Sequence, residues 1–210
     1  MRSGTRRVVC SALALIVAAC RDASGASDAS DAPGPAGEFV GRVAGTDALI
    51  ALVTDGTAVR VYACDGTPAR QLTIGEWFKG DAVRGSVDLV SLSGVARVVA
   101  RVTATEVTGT LQLATGPALS FNAAPVTAPA GFWLYKAIHN GELQWAGWIV
   151  ASDGSVRGSS PTPVRTSVGV TLNVAAGTAQ LPSVGAVTPA RLTSGLAPRG
   201  FQGCFPGQIC

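Results

Sequence analysis

Few side chains in this sequence could carry covalent or acid–base chemistry. His139 is the single histidine of the 210 residues, so any Ser-His-Asp arrangement would have to use it. No Gly-x-Ser-x-Gly elbow presents a nucleophilic serine to it. With Glu142 close by, across Asn140-Gly141, the histidine reads more readily as a solvated hairpin end than as a general base. One histidine with oxidisable cysteines makes no convincing zinc set. Asp55, Asp65 and Asp153 each precede a glycine. That pattern invites calcium, but three separate turns that tolerate positive φ explain it better. Glu76 and Glu106 would suit a paired-carboxylate glycosidase, although nothing around them selects them. The sequence has no phosphate-binding glycine loop, and neither a metal nor a cofactor is expected.

A binding surface is better supported. Asn-Gly between apolar runs is the strongest short-range hairpin signal. A two-residue turn at Asn140-Gly141 sets His139 opposite Glu142, Ile138 opposite Leu143, Lys136 opposite Trp145 and Trp133 opposite Trp148. One face then carries Phe132, Leu134, Ile138, Leu143, Trp145 and Ile149, with Lys136 among them, and reads as core. The other carries Trp133, Tyr135, Trp148, Gln144, His139 and Glu142. Flat aromatics mixed with a few polar groups suit the stacking of a sugar ring or a peptide. The competing arrangement covers Trp133 and Trp148 with further chain as a satellite core, since aromatic cross-strand pairs also stabilise sheets.

The elements that must position this face are strands. Ala96, Val98, Ala100 and Val102 alternate with Arg97, Val99, Arg101 and Thr103, and Val107 to Leu113 alternates likewise, as expected of strands with one buried face. Ala48 to Val53 is continuously apolar and predicts a strand buried on both sides. Asp55-Gly56, Asp65-Gly66, Ser93-Gly94, Asn140-Gly141 and Asp153-Gly154 punctuate these runs. No segment combines helical period with caps. The fold class expected is all-β, a small antiparallel barrel or sandwich over 38–158 with a long, partly extended C-terminal tail over 159–210. Within the tail, 164–174 alternates as one long strand, and Pro182, Pro189, Pro198 and Pro206 break the remainder into extended pieces. Asp47-Ala-Leu-Ile-Ala-Leu-Val53, Tyr62-Ala-Cys-Asp-Gly66, Gly147-Trp-Ile-Val150 and Asp153-Gly-Ser-Val-Arg-Gly158 together resemble secreted β-domains of high-GC bacteria. That resemblance implies a fold class and transfers no site.

The N-terminus reads as an address. Arg2, Arg6 and Arg7 precede an apolar run from Val8 to Ala19 that is too short to span a bilayer. The run ends in Val17-Ala18-Ala19-Cys20, which resembles the lipobox of bacterial lipoproteins. The resemblance implies that residues 1–19 are a signal peptide and that Cys20 is lipidated as the first mature residue. Two or three acyl chains there would hold a protein stably on a membrane. Cleavage would take the Lys and Arg count from 16 to 13, against 13 Asp and Glu, leaving no electrostatic footprint for nucleic acid. Residues 20–37 contain no aliphatic side chain larger than alanine before the domain begins, and read as a flexible linker.

An oxidising envelope favours at least one disulfide. Cys204 and Cys210 enclose Pro206-Gly207, a pair suited to a tight turn, and are the favoured bridge. Cys64 is then a small buried hydrophobe at a strand end; its pairing with the tail is the alternative. The expected function is that of a cell-envelope protein, lipid-anchored to the outer face of the inner membrane or to the outer membrane. Its β-domain would be non-catalytic, binding an envelope glycan or protein partner or serving structurally, with the membrane engaged through the anchor. The alternative is an envelope hydrolase or a hydrolase inhibitor, the latter exposing the loop from Phe205 to Ile209. A membrane pore fits less well, because the core-facing positions are apolar where a pore needs a polar lumen.

Overall fold

The computed structural model describes residues 33–161 and 167–194, and their regular structure is all strand. Eight consecutive antiparallel strands come first: β1 (Gly37–Val43), β2 (Leu49–Thr54), β3 (Ala58–Cys64), β4 (Gly75–Val83), β5 (Ser86–Val90), β6 (Arg97–Val102), β7 (Val107–Gln112) and β8 (Leu119–Pro125). β8 pairs back on β1, from Phe39 opposite Pro125 to Val43 opposite Phe121, and closes a barrel. The expectation of a barrel or sandwich resolves to a closed barrel with further sheets laid on it.

An eight-stranded barrel is about wide enough for side chains to fill it, and this one is filled. Phe39, Ile50, Leu52, Phe78, Leu111 and Phe121 are among the buried residues inside. Each large apolar side chain taken out of water contributes roughly 1.5–3 kcal/mol before entropy is counted. The alternating pattern of β6, with Val98, Ala100 and Val102 inward and Arg97, Val99 and Arg101 outward, follows from a wall that meets core on one side and solvent on the other.

β2 is buried along its whole length because its outer side is covered too. Ile50 and Leu52 point into the barrel, whereas Leu49, Ala51 and Val53 join a second core outside it. That core is completed by a five-stranded antiparallel sheet built from β9 (Gly131–His139), β10 (Glu142–Val150), β11 (Val156–Pro161), β12 (Ser167–Gly169) and β16 (Ala190–Leu192), in the order β12-β11-β10-β9-β16. A smaller sheet of β13 (Leu172–Asn173), β14 (Thr178–Leu181) and β15 (Gly185–Val187) forms a third core with the outer side of β10.

β11 runs across the boundary drawn between 158 and 159, and β16 hydrogen-bonds to β9, so described strands of the tail extend a sheet that begins before it. One expectation about the tail needs correction. The single strand expected over 164–174 is split: Ser167–Gly169 belongs to the five-stranded sheet and Leu172–Asn173 to the three-stranded one, while 164–166 lie outside the described residues. The chain leaves the first sheet where Gly169 lies against the Thr67 backbone; a Cβ there would sit 2.2 Å from the Thr67 carbonyl oxygen. Val170 then donates its N–H to Gly158 and buries its side chain in the third core. Alternation continues through such a crossing, so it cannot reveal one.

Candidate functional site

The β9–β10 hairpin has the register read from its turn. His139 pairs with Glu142, Lys136 with Trp145, Tyr135 with Ala146 and Trp133 with Trp148. Asn140 and Gly141 both adopt positive φ, 51° and 80°, the geometry of a turn whose twist matches that of the strands.

The face read as core packs on the barrel wall. Tyr62 stacks on Trp77 at 4.0 Å, Trp77 meets Trp145 edge-on at 4.9 Å, and Phe132 lies 5.5 Å from both Tyr62 and Trp77. Gly147 makes this possible, since a Cβ there would fall 2.2 Å from Trp77 Cη2. The Tyr62 hydroxyl is hydrogen-bonded to Ser159 Oγ at 2.7 Å inside this interface. Cys64 is buried at the end of β3, and its sulfur accepts the Gly66 N–H at 3.2 Å. Burial pushes the thiol up to about 11, so at neutral pH it is a protonated packing group and a poor nucleophile. Among the described residues it is a free cysteine. Ile138 departs from the expected core face. It is 68% exposed, because β16 and β11 pair with the hairpin only as far as Leu134 and Gly147, leaving the turn end as a two-stranded ribbon.

The opposite face brings Trp133, Tyr135, Gln144 and Trp148 together, with His139 and Glu142 exposed at its turn end. It is not open along its length. Trp148 is fully buried beneath the β13–β15 sheet, beside Leu172, Leu181 and Val187, and so has no surface free for stacking in this arrangement. The covered, satellite-core alternative describes Trp148; Trp133 and Tyr135 remain half-buried at its margin. Gln144 Oε1 accepts a hydrogen bond from Ser183 Oγ at 2.8 Å, in the β14–β15 turn. Trp133 donates its indole N–H to the Pro129 carbonyl at 3.0 Å.

Pro129 lies in a cleft that the sequence did not announce. The β8–β9 connection, Val126 to Ala130, and the β10–β11 turn, Ala151 to Gly154, wall an opening of about 470 Å³, with Val150 and Val174 also lining it. Small-molecule sites commonly have volumes of this order, about 300–1,000 Å³. Both walls are held. Arg191 donates Nε to the Ala130 carbonyl at 2.8 Å and forms a largely buried ion pair with Glu38 at 2.5 Å. Asp153 receives the Ser155 hydroxyl and N–H and pairs with Arg42 at 2.6 Å. The Ser155 hydrogen bonds, and then Arg42, hold the Asp153 carboxyl well below the usual carboxylate range. The only trace of the cleft in the sequence is the run Pro125-Val-Thr-Ala-Pro-Ala-Gly131, whose small residues and prolines also suit an ordinary connection.

Other residues with chemical potential are dispersed. Glu76 is the second residue of β4 and accepts a hydrogen bond from Ser93, whereas Glu106 precedes β7 and accepts one from Asn122. In an up-and-down barrel those positions lie at opposite ends, too far apart for a carboxylate pair about 5–9.5 Å across. Asp55 accepts the Thr57 and Ala58 N–H groups, and Asp65 those of Thr73 and Ile74, so both carboxylates serve their own loops. Gly56 and Gly154 have the positive φ expected of such turns, 96° and 81°, whereas Gly66 does not; a Cβ on Gly66 would lie 2.4 Å from the Gly158 carbonyl oxygen, so there the glycine serves close approach. Cys20, Cys204 and Cys210 lie outside the described residues. Compared with protein-family models, curated proteins and solved structures, the chain finds no match.

Proposed function

We propose that this chain is a lipid-tethered protein of the cell envelope whose β-domain is a non-catalytic binding module for an envelope glycan. The observation that carries the binding reading is the placement of space. The barrel interior is packed with apolar side chains, whereas a cleft of about 470 Å³ opens beside the aromatic face of the hairpin. A filled barrel acts as a rigid base, and ligand contacts then fall to the sheets laid on it. The cleft is lined by uncharged residues, which suits a neutral ligand better than a phosphate or a nucleic acid. The tether rests on Val17-Ala18-Ala19-Cys20.

Two experiments test the two halves. Cys20→Ala should move the protein from the membrane fraction to the soluble fraction; membrane retention in the mutant would sink the tether. The purified β-domain should cosediment with insoluble cell-wall glycan, and Ser152→Trp, which fills the cleft mouth, should weaken that association. Equal sedimentation with and without glycan would remove the binding reading.

A further inference from the structure

The face of the hairpin that carries Trp148 is shut in an unusual way. Trp148 is fully buried, and its indole N–H finds no hydrogen-bond partner among the described residues. Buried donors without partners are rare in native folds, and each one asks for a reason. The cover above it is equally particular. β13, β14 and β15 form ladders with one another and join no strand of the five-stranded sheet. Displacing them would therefore break no ladder of the sheet below. Their contact with the hairpin is apolar, through Leu172, Leu181 and Val187, together with the Ser183–Gln144 hydrogen bond at 2.8 Å. The cleft adjoins the same space, because Val150 and Val174 belong both to its lining and to this third core.

We propose that the β13–β15 sheet is a lid over a carbohydrate subsite, and that with the lid displaced the Trp148 face binds an N-acetylated pyranose. This rests on the reading of the β-domain as a glycan-binding module and names the ligand class for it. Each group needed is already in place. The indoles of Trp148 and Trp133, paired across the strands, supply flat apolar surface for the pyranose face. The orphaned Trp148 N–H supplies a donor for the acetamido carbonyl. Gln144, released from Ser183, supplies a donor and an acceptor for ring hydroxyls. The cleft provides the path by which a ring enters along the lid edge. The unpartnered N–H is then a group whose partner is the ligand, and its cost in the closed state biases the lid towards opening.

The test uses the full β-domain with N,N′-diacetylchitobiose as the probe. The indole N–H resonance of Trp148, assigned by its loss in Trp148→Phe, should exchange with solvent by lid opening. Ser183→Ala should speed that exchange and tighten binding of the disaccharide by about fivefold each, the weight of one ordinary hydrogen bond. In the Ser183→Ala background, Trp148→Phe keeps a ring but loses the donor, and should weaken binding by about fivefold or more. If Trp148→Phe disturbs the fold, titrating the unmutated protein and following the Trp148 indole resonance, assigned then by triple-resonance spectra, answers the same question, since the ligand should shift it at saturation. Unchanged exchange in Ser183→Ala overturns the lid. An indole resonance indifferent to saturating disaccharide, or no saturable binding in Ser183→Ala, overturns the subsite. Cosedimentation with cell-wall glycan that survives either result leaves the binding module standing at the cleft alone.

Discussion

Gly147→Ala isolates the joint on which the hairpin rests. The added Cβ would lie 2.2 Å from Cη2 and 2.6 Å from Cζ2 of Trp77, and 3.3 Å from Cε1 of Tyr62. Carbon atoms in ordinary contact sit about 3.5–4.0 Å apart, so the indole must retreat by more than an ångström or the strand must lift. Trp77 has little freedom to retreat, since Tyr62 stacks on it at 4.0 Å and Trp145 meets it at 4.9 Å. Overpacking of this kind costs about 1–3 kcal/mol. Replacing glycine within a strand returns roughly 0.5–1 kcal/mol of backbone entropy. The net expectation is a loss of about 1–2 kcal/mol, or roughly 2–8 °C in Tm for a domain of this size. Urea denaturation followed by tryptophan fluorescence measures it. Trp77→Phe removes the clashing atoms, so the cost of Gly147→Ala should fall by at least half in that background, which a double-mutant cycle reads directly. A neutral Gly147→Ala, or the same cost in both backgrounds, would refute the packing argument.

Four further outcomes rest on particular contacts. Arg191→Met strands Glu38, whose side chain is 15% exposed, and should cost about 3–5 kcal/mol; Arg42→Met at the exposed, solvent-screened Asp153 pair should cost far less, and urea midpoints rank the two. Asp153 titrates below its ordinary 3.8 in the folded protein, through Ser155 first and Arg42 second. Its contribution is therefore complete above that value and lost as the pH falls below it, so an acid titration of Tm should be shallower in Asp153→Asn; identical acid limbs would refute this. Cys64, pushed up to about 11 and buried, should stay unlabelled by iodoacetamide at pH 8 until urea unfolds the domain, as peptide mass mapping would show. Ending the chain after Gly158 removes β16 from one side of the hairpin and the second half of β11 from the other, and should yield insoluble protein; a soluble, cooperatively unfolding fragment would place a domain boundary at that residue.

The fold was legible wherever a strand meets one environment on each side. β6 and β7 alternate because the barrel core lies inside and water outside, and β2 is apolar from Leu49 to Val53 because a second core lies outside it. The hairpin register was legible to the residue because Asn140-Gly141 imposes it locally. What binary pattern does not encode is which surface covers which. The alternation across 164–174 is as regular as that of β6, yet the described part divides between two sheets. The division is set by Gly169 against the Thr67 backbone, far back in the chain, and by the Val170 hydrogen bond to Gly158. The cleft escaped for the same reason: its walls are two connections that are not adjacent in sequence, held in place by Arg191 and Asp153. Parity alone assigns Ile138 to the core, whereas its exposure depends on where β16 stops.

The arrangement of layers constrains where function can reside. A barrel closed by its own first and last strands has no free edge, so it offers neither a ladder to extend nor an empty interior to fill. Its wall is committed on one side to the five-stranded sheet through Tyr62, Trp77 and Leu49. On the other it carries solvent-facing pairs such as Arg97 with Asp88, which are suited to solubility. Differential exposure is left to the outer layer, where a small sheet with no ladder to its neighbour sits over an aromatic pair. Opening this layer leaves the barrel core untouched, since Trp148 and the barrel interior belong to separate clusters. A ligand that engages the outer layer therefore competes only with the contacts of one short sheet. Amide exchange makes the point measurable: residues 178–187 should exchange far faster than β2 and β3, and equal protection would tie the lid to global unfolding.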